Sequence, residues 1–215
     1  MQPAARGDHP LLHPTAIRPP LRSRTDPHDA MRGFVFAHIG WLYIKKDKRV
    51  AEAGAMVNME DLRQDGFVMW QKRTDPWWNL FWCFFAPALI ASYGWGESIK
   101  NGMLVAGAVR YLWVLHCTWL VNSAAHLWGE RPYDPASNPA ENPLVAVASL
   151  GEGWHNWHHK YPFDYAASEY GVLRQFNPTK FVIDCAAQLG LVKDRKRATG
   201  MWHREKAKRD AQKAE

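Results

Sequence analysis

The most constraining feature is a run of twenty residues, Trp77 to Gly96 (WWNLFWCFFAPALIASYGWG), without a single charge. Its length matches the roughly 20 residues that a helix needs to cross the hydrocarbon core of a bilayer. Trp77 and Trp78 stand at one end and Trp95 at the other. Indole rings favour the boundary between lipid and water, where the ring is apolar and its N–H stays wet. Pro87 predicts a kink, which membrane helices tolerate. A polar connection, Glu97 to Gly102, leads to a second apolar segment, Met103 to Val121. That segment carries Arg110 and His116, and ionisable groups inside a span face a protein interior or cavity. A buried helix of a soluble domain is the competing reading of either segment alone, but two joined by a short turn predict a helical hairpin. The turn has one basic residue, Lys100. The flanks have many, among them Lys45, Lys46, Arg49, Lys72 and Arg73 before and Arg131, Lys160 and Arg174 after. The excess of positive charge on the flanks predicts that both termini face the cytosol.

Composition supports a membrane setting. Twelve tryptophans and a formal charge of +6 in 215 residues suit a lipid interface with anionic head groups. The charge would also suit nucleic acid, but the sequence carries no nucleic-acid motif, and none is expected as a partner. Cys83, Cys117 and Cys185 are few and far apart, so neither a thiolate metal site nor a disulfide framework is expected. Residues 1–25 are rich in proline and arginine, lack the apolar core of a signal peptide, and are expected to be disordered. Arg32 to Ile44 (RGFVFAHIGWLYI), followed by a basic cluster, predicts an interfacial helix. Lys193 to Glu215 alternates in charge and reads as a solvated tail or surface helix.

Two clusters carry chemistry. The segment Gly151 to Tyr165 (GEGWHNWHHKYPFDY) holds His155, His158 and His159. Spacings of three and four place all three on one helix face, where imidazoles can converge on a metal. Imidazole suits zinc, copper, nickel and iron alike, so the spacing selects no metal. A lone histidine is usually structural; three in five residues favour a ligand set. Asn122 and His126, in NSAAH, share a face at the end of the second span. Such a pair is more often a structural hydrogen-bond site, but beside a histidine cluster a ligand role becomes the better reading.

In these segments the chain resembles the membrane acyl-CoA desaturases of the delta-nine, or stearoyl-CoA, type. The likeness is carried by TWLVNSAAHLWGERPYD (Thr118 to Asp134), GEGWHNWHHKYPFDYAASEYG (Gly151 to Gly171), DPHDAMRGFVFAHIGW (Asp26 to Trp41) and IDCAAQLGLVKDRK (Ile183 to Lys196). The resemblance implies a site of two iron ions at the cytosolic face of the endoplasmic reticulum membrane. It implies a fatty acyl-CoA substrate, dioxygen as oxidant, and cytochrome b5 as electron donor. By motif, His155, His158 and His159 are the last histidine box. His126 is a ligand, and Asn122 reaches a metal through water. Trp119 lines the acyl tunnel, where the competing reading is membrane packing. Lys45 and Lys46 bind the phosphates of coenzyme A, where the competing reading is contact with lipid head groups.

The family also has two earlier histidine boxes, HxxxxH and HxxHH, which this sequence lacks. His9 and His13 are interrupted by prolines and do not replace them; His28, His38, His116 and His203 are not expected to be ligands. Four histidines and one asparagine cannot fill two iron shells, so the sequence reads as the later part of a desaturase, truncated at its N-terminus. The expected fold is an all-α membrane protein with two transmembrane helices as a hairpin and a cytosolic helical cap carrying part of a histidine-rich metal site. The expected divisions are 1–25, a disordered N-terminus; 26–76, interfacial helices; 77–96 and 103–121, the spans; 97–102, a lumenal turn; 122–197, the cap; and 198–215, a charged tail. Two other functions stay open: a non-catalytic membrane interaction protein derived from a desaturase, and a related membrane di-iron hydroxylase.

Overall fold

A computed structural model describes residues 26–214; the prolines and histidines of residues 1–25 lie outside it. Among the described residues every regular element is helical, and the extended pairing is limited to two isolated bridges, Glu130 with Glu141 and Glu141 with Trp154.

Two long helices organise the chain. The first runs without a break through Trp77–Leu80, Phe81–Phe85 and Ala86–Trp95. The second, Ile99–Leu127, is long and apolar enough to cross a membrane, and only 11% of its most apolar stretch is buried. Gly96, left-handed at φ 76°, ends the first helix, and the Ser98 hydroxyl caps the second by accepting from the Asn101 amide at 3.2 Å. The helices are antiparallel. Gly102 lies against Ala88, Gly107 against Phe84, and Arg110 against Cys83. The absence of side chains at Gly102 and Gly107 permits this approach, the small-residue packing on which helices rely where lipid supplies no hydrophobic drive.

The kink residue has a partner. Pro87 has no N–H to give to the Cys83 carbonyl four residues back. A guanidinium N–H of Arg110 donates to that carbonyl at 2.6 Å, and Arg110 Nε donates to Ala106 O at 2.8 Å. The charged residue of the second long helix therefore satisfies the backbone freed by the proline of the first.

The region before the hairpin differs from expectation. Instead of one helix over 32–44, the chain makes three short turns: Ala30–Arg32, Phe34–His38 and Gly40–Leu42. Gly33 at φ 97° and Gly40 interrupt the apolar run. Phe34–His38 packs on the second long helix through Ala37 and His38. His38 Nδ1 is 3.0 Å from Ser123 Oγ and its Nε2 is 2.9 Å from His116 Nδ1. A helical region follows, with helices Pro143–Ala148, His155–Lys160 and Pro178–Gln188. The charged C-terminal stretch is a helix, Thr199–Ala214, docked through Trp202 onto Tyr133, Trp157 and Tyr161.

Candidate metal centre

Ser123 bends the second long helix, and the short turn Ala124–Leu127 carries His126 out of its end. His155 and His159 stand one turn apart on the helix His155–Lys160. Their spacing puts both on the face toward His126. The three donor atoms lie within 4.8 Å of one another. His126 Nε2 is 3.0 Å from His155 Nε2, and His159 Nε2 is 3.1 Å from the same atom.

The sequence explains why the histidine helix sits where it does. Gly151 has φ 118°, and a Cβ on Gly153 would stand 2.1 Å from the Ala146 amide nitrogen and 2.3 Å from the Asn142 carbonyl oxygen. Only glycine admits this crossing. Asn156, fully buried and next to His155 in the chain, ties the helix to the loop before it. Its Oδ1 accepts from the amides of Tyr133 and Asp134 at 2.9 and 3.1 Å. Its Nδ2 donates to Asp134 O, Ser137 Oγ and Pro139 O at 3.1, 3.0 and 2.9 Å. Glu141 Oε1 accepts from the Trp157 amide at 2.8 Å, satisfying a first-turn N–H of the histidine helix. Burial pushes the Glu141 carboxyl up to about 7.

The electrostatics favour a cation ligand set. Burial, then the neighbouring rings of His159, His126 and His158, push His155 down to about 2. Burial and the rings of His126 and His158 push His159, which keeps an exposed edge, down to about 4. Both are neutral at physiological pH, the state in which imidazole binds metals. Neutral rings have one N–H each, so three Nε2 atoms this close cannot all be satisfied by one another. His155 Nδ1 is also buried without a partner. The donor set fits a first-row metal ion, and imidazole nitrogen suits iron as well as zinc or copper.

Of the expected site residues, the structure brings His126, His155 and His159 together. His158 stacks beside His155, ring centroids 5.7 Å apart, and lies outside that three-donor group. Asn122 is half-buried one turn before His126. Trp119 meets the rings of His38 and His116 edge-on at 5.8 and 5.1 Å. Lys45 and Lys46 are exposed and line a cleft of ≈ 390 Å³ with Asp26, Arg32, Trp41 and Arg49.

Asp26 and His28 were not expected at the centre. A hydrogen bond from His28 holds the Asp26 carboxyl below its usual range, and its charge acts on both His126 and His159. Asn156 and Glu141 were also missed. Their spacing in sequence carries no signal; only the segment DPHD, in its resemblance to the desaturases, pointed toward Asp26 and His28.

The chain has curated relatives among known proteins. The chain is 48% identical over 174 residues to stearoyl-CoA desaturase 5 of Bos taurus, covering 81% of this chain and 51% of that relative. It is 49% identical to stearoyl-CoA desaturase 5 of Homo sapiens over 174 residues, with 81% and 52% covered. It is 49% identical to acyl-CoA desaturase 3 of Mus musculus over 177 residues, with 82% and 49% covered. The chain thus spans about half the length of the curated relatives it matches. No family model matches it.

Proposed function

From the premise that this chain belongs to the acyl-CoA desaturase family, we propose that it carries one portion of the iron site of an oxidoreductase that places a cis double bond in a saturated fatty acyl-CoA. The observation that carries this reading is the convergence of His126, His155 and His159 at the end of a membrane-length helix.

His126, His155 and His159 would hold one iron, and His158 and Asn122 would serve the second. The bound iron supplies the redox chemistry that zinc lacks: two electrons from the donor and two from the substrate methylenes reduce dioxygen to two waters. The chain's own residues do the rest. His155 and His159 stay neutral and ready to bind. Asn156 and Glu141 fix the helix that bears them. Lys45 and Lys46, with Arg32 and Arg49 in the same cleft, receive the phosphates of coenzyme A. Trp119 borders the acyl path. Ile99–Leu127 and the antiparallel Trp77–Trp95 helix form a two-span hairpin in the endoplasmic reticulum membrane, with both ends and the metal centre cytosolic and cytochrome b5 as electron donor.

Residues 26–214 bring three histidines together, whereas two irons need more. The test is therefore made on two proteins, in cells lacking their own desaturase: this chain, and a version extended upstream by any histidine-box exon in the genomic DNA. Monounsaturated acyl chains from the extended version support the reading. Product from the extended version alone shows that the missing ligands lie upstream. Metal-loaded protein with no product from either version sinks the enzymatic reading in favour of a membrane interaction protein, and hydroxylated product favours the hydroxylase.

A further inference from the structure

The cap helix Pro178–Gln188 is inverted for a surface in water. Its charges turn toward the protein. Asp184 accepts from the Tyr165 hydroxyl at 2.5 Å and pairs with Lys180 and Arg195, each at 2.5 Å. The side chains of Lys180 and Asp184 are only 14% and 27% exposed. Two of its apolar residues turn outward: Phe181 is 55% exposed and Val182 64%, and Leu189 just beyond is 76% exposed. Water would favour the reverse arrangement.

The position of this face says what covers it. Thr179 Oγ1 donates to the Leu150 carbonyl at 2.9 Å, which fixes the helix beside Leu150. Leu150 lines one cleft with Pro178, Val182 and Ile183. It lines a second, ≈ 290 Å³, with Trp113, Val114 and Cys117 of the membrane-length helix and with Glu152. Trp113 lies thirteen positions before His126, about 20 Å down the helix at 1.5 Å per residue. The exposed apolar side of the cap is therefore continuous with the exposed flank of the spanning helix. Arg174, Lys193 and Lys196, in the segments flanking the helix in sequence, are exposed, basic groups that suit anionic head groups.

We propose that Pro178–Gln188 is a lipid-docking helix, with Phe181 and Val182 lying in the acyl–head-group boundary of the bilayer that Ile99–Leu127 spans. The inference rests on the reading of Ile99–Leu127 as a span. The occupant is lipid, not protein: the face runs onto a helix flank that the bilayer itself covers.

The full unmodified chain is reconstituted in liposomes of phosphatidylcholine and phosphatidylserine that contain a phospholipid with a diazirine near the top of one acyl chain. After irradiation, trypsin releases Phe181–Lys193 as one peptide, and mass spectrometry locates the adducts. Lipid adducts on this peptide and on peptides from Ile99–Leu127 are expected. A Val182→Asp variant, in a residue outside the metal centre, is expected to lose at least fivefold of the adduct on residues 181–193 and to keep the adducts on the span. Adducts on the span with none on residues 181–193 would overturn the inference, because water or another protein then covers the helix. Adducts on neither would overturn the spanning reading first, and the inference with it.

Discussion

At the scale of single residues, glycine and asparagine set the metal centre as firmly as the histidines do. Replacing Gly153 by alanine would drive a Cβ to within 2.1 Å of a backbone nitrogen, which no side-chain rotation can relieve. The expected cost is about 3 kcal/mol or more, read as a large fall in melting temperature and weaker metal binding. Asn156→Ala removes five hydrogen bonds in a buried position. It leaves backbone groups unpaired, with an expected cost of about 3–5 kcal/mol from several such losses, measured by chemical denaturation. The histidines give a pH prediction with a defined sign. His155 and His159 have folded values near 2 and 4, below the ordinary histidine value of 6.5. The unfolded chain therefore binds more protons below pH 6.5, and the metal-free protein loses stability as pH falls from 6.5 toward 4. Metal affinity should change little between pH 7.5 and 5, since these ligands stay neutral there. A cobalt titration at several pH values checks this; affinity that collapses between pH 7 and 6 would contradict neutral His155 and His159.

At the scale of elements, the hairpin depends on close approach. A Cβ on Gly102 would lie 3.0 Å from Ala88 Cα and 3.1 Å from its carbonyl oxygen. Gly102→Leu is expected to part the two long helices and cost about 1–3 kcal/mol, the usual penalty for overpacking. Thermal unfolding in detergent, followed by tryptophan fluorescence, measures it. The two long helices were legible because uncharged length, flanking tryptophans and a short polar turn are local signals. The break-up of 32–44 into three turns was less so. An apolar run reads as one helix, but packing His38 against Ser123 and His116 requires the chain to turn at Gly33 and Gly40. Likewise, the pattern around Lys180 and Asp184 is amphipathic whichever way it faces; the sequence does not say that the charged side turns inward.

For the whole molecule, the tail is part of the site's support. Trp202 packs on Trp157 and Tyr133, its Nε1 donates to Glu169 at 3.0 Å, and Trp157 lies in sequence between His155 and His159. Trp202→Ala is expected to cost about 3–5 kcal/mol as a large core deletion and to weaken metal binding, although residue 202 contacts no ligand. Isothermal titration with a divalent metal, set beside a Lys213→Ala control, measures the link. Unchanged affinity would show that Thr199–Ala214 is decoration.

The sequence by itself determined the all-helical character, the family, and which histidines are candidate ligands. Those properties are written in local composition and in motif spacing along one helix face. The tertiary structure alone decided that His126 meets His155 and His159 while His158 lies outside that group. It also placed Asp26 and His28 beside the cluster and charged Asn156, Glu141 and Trp202 with holding it. These are contacts between segments far apart in the chain. Their existence depends on how the loop from 129 to 153 folds back between the spans and the histidine helix, and no periodicity or spacing records that path.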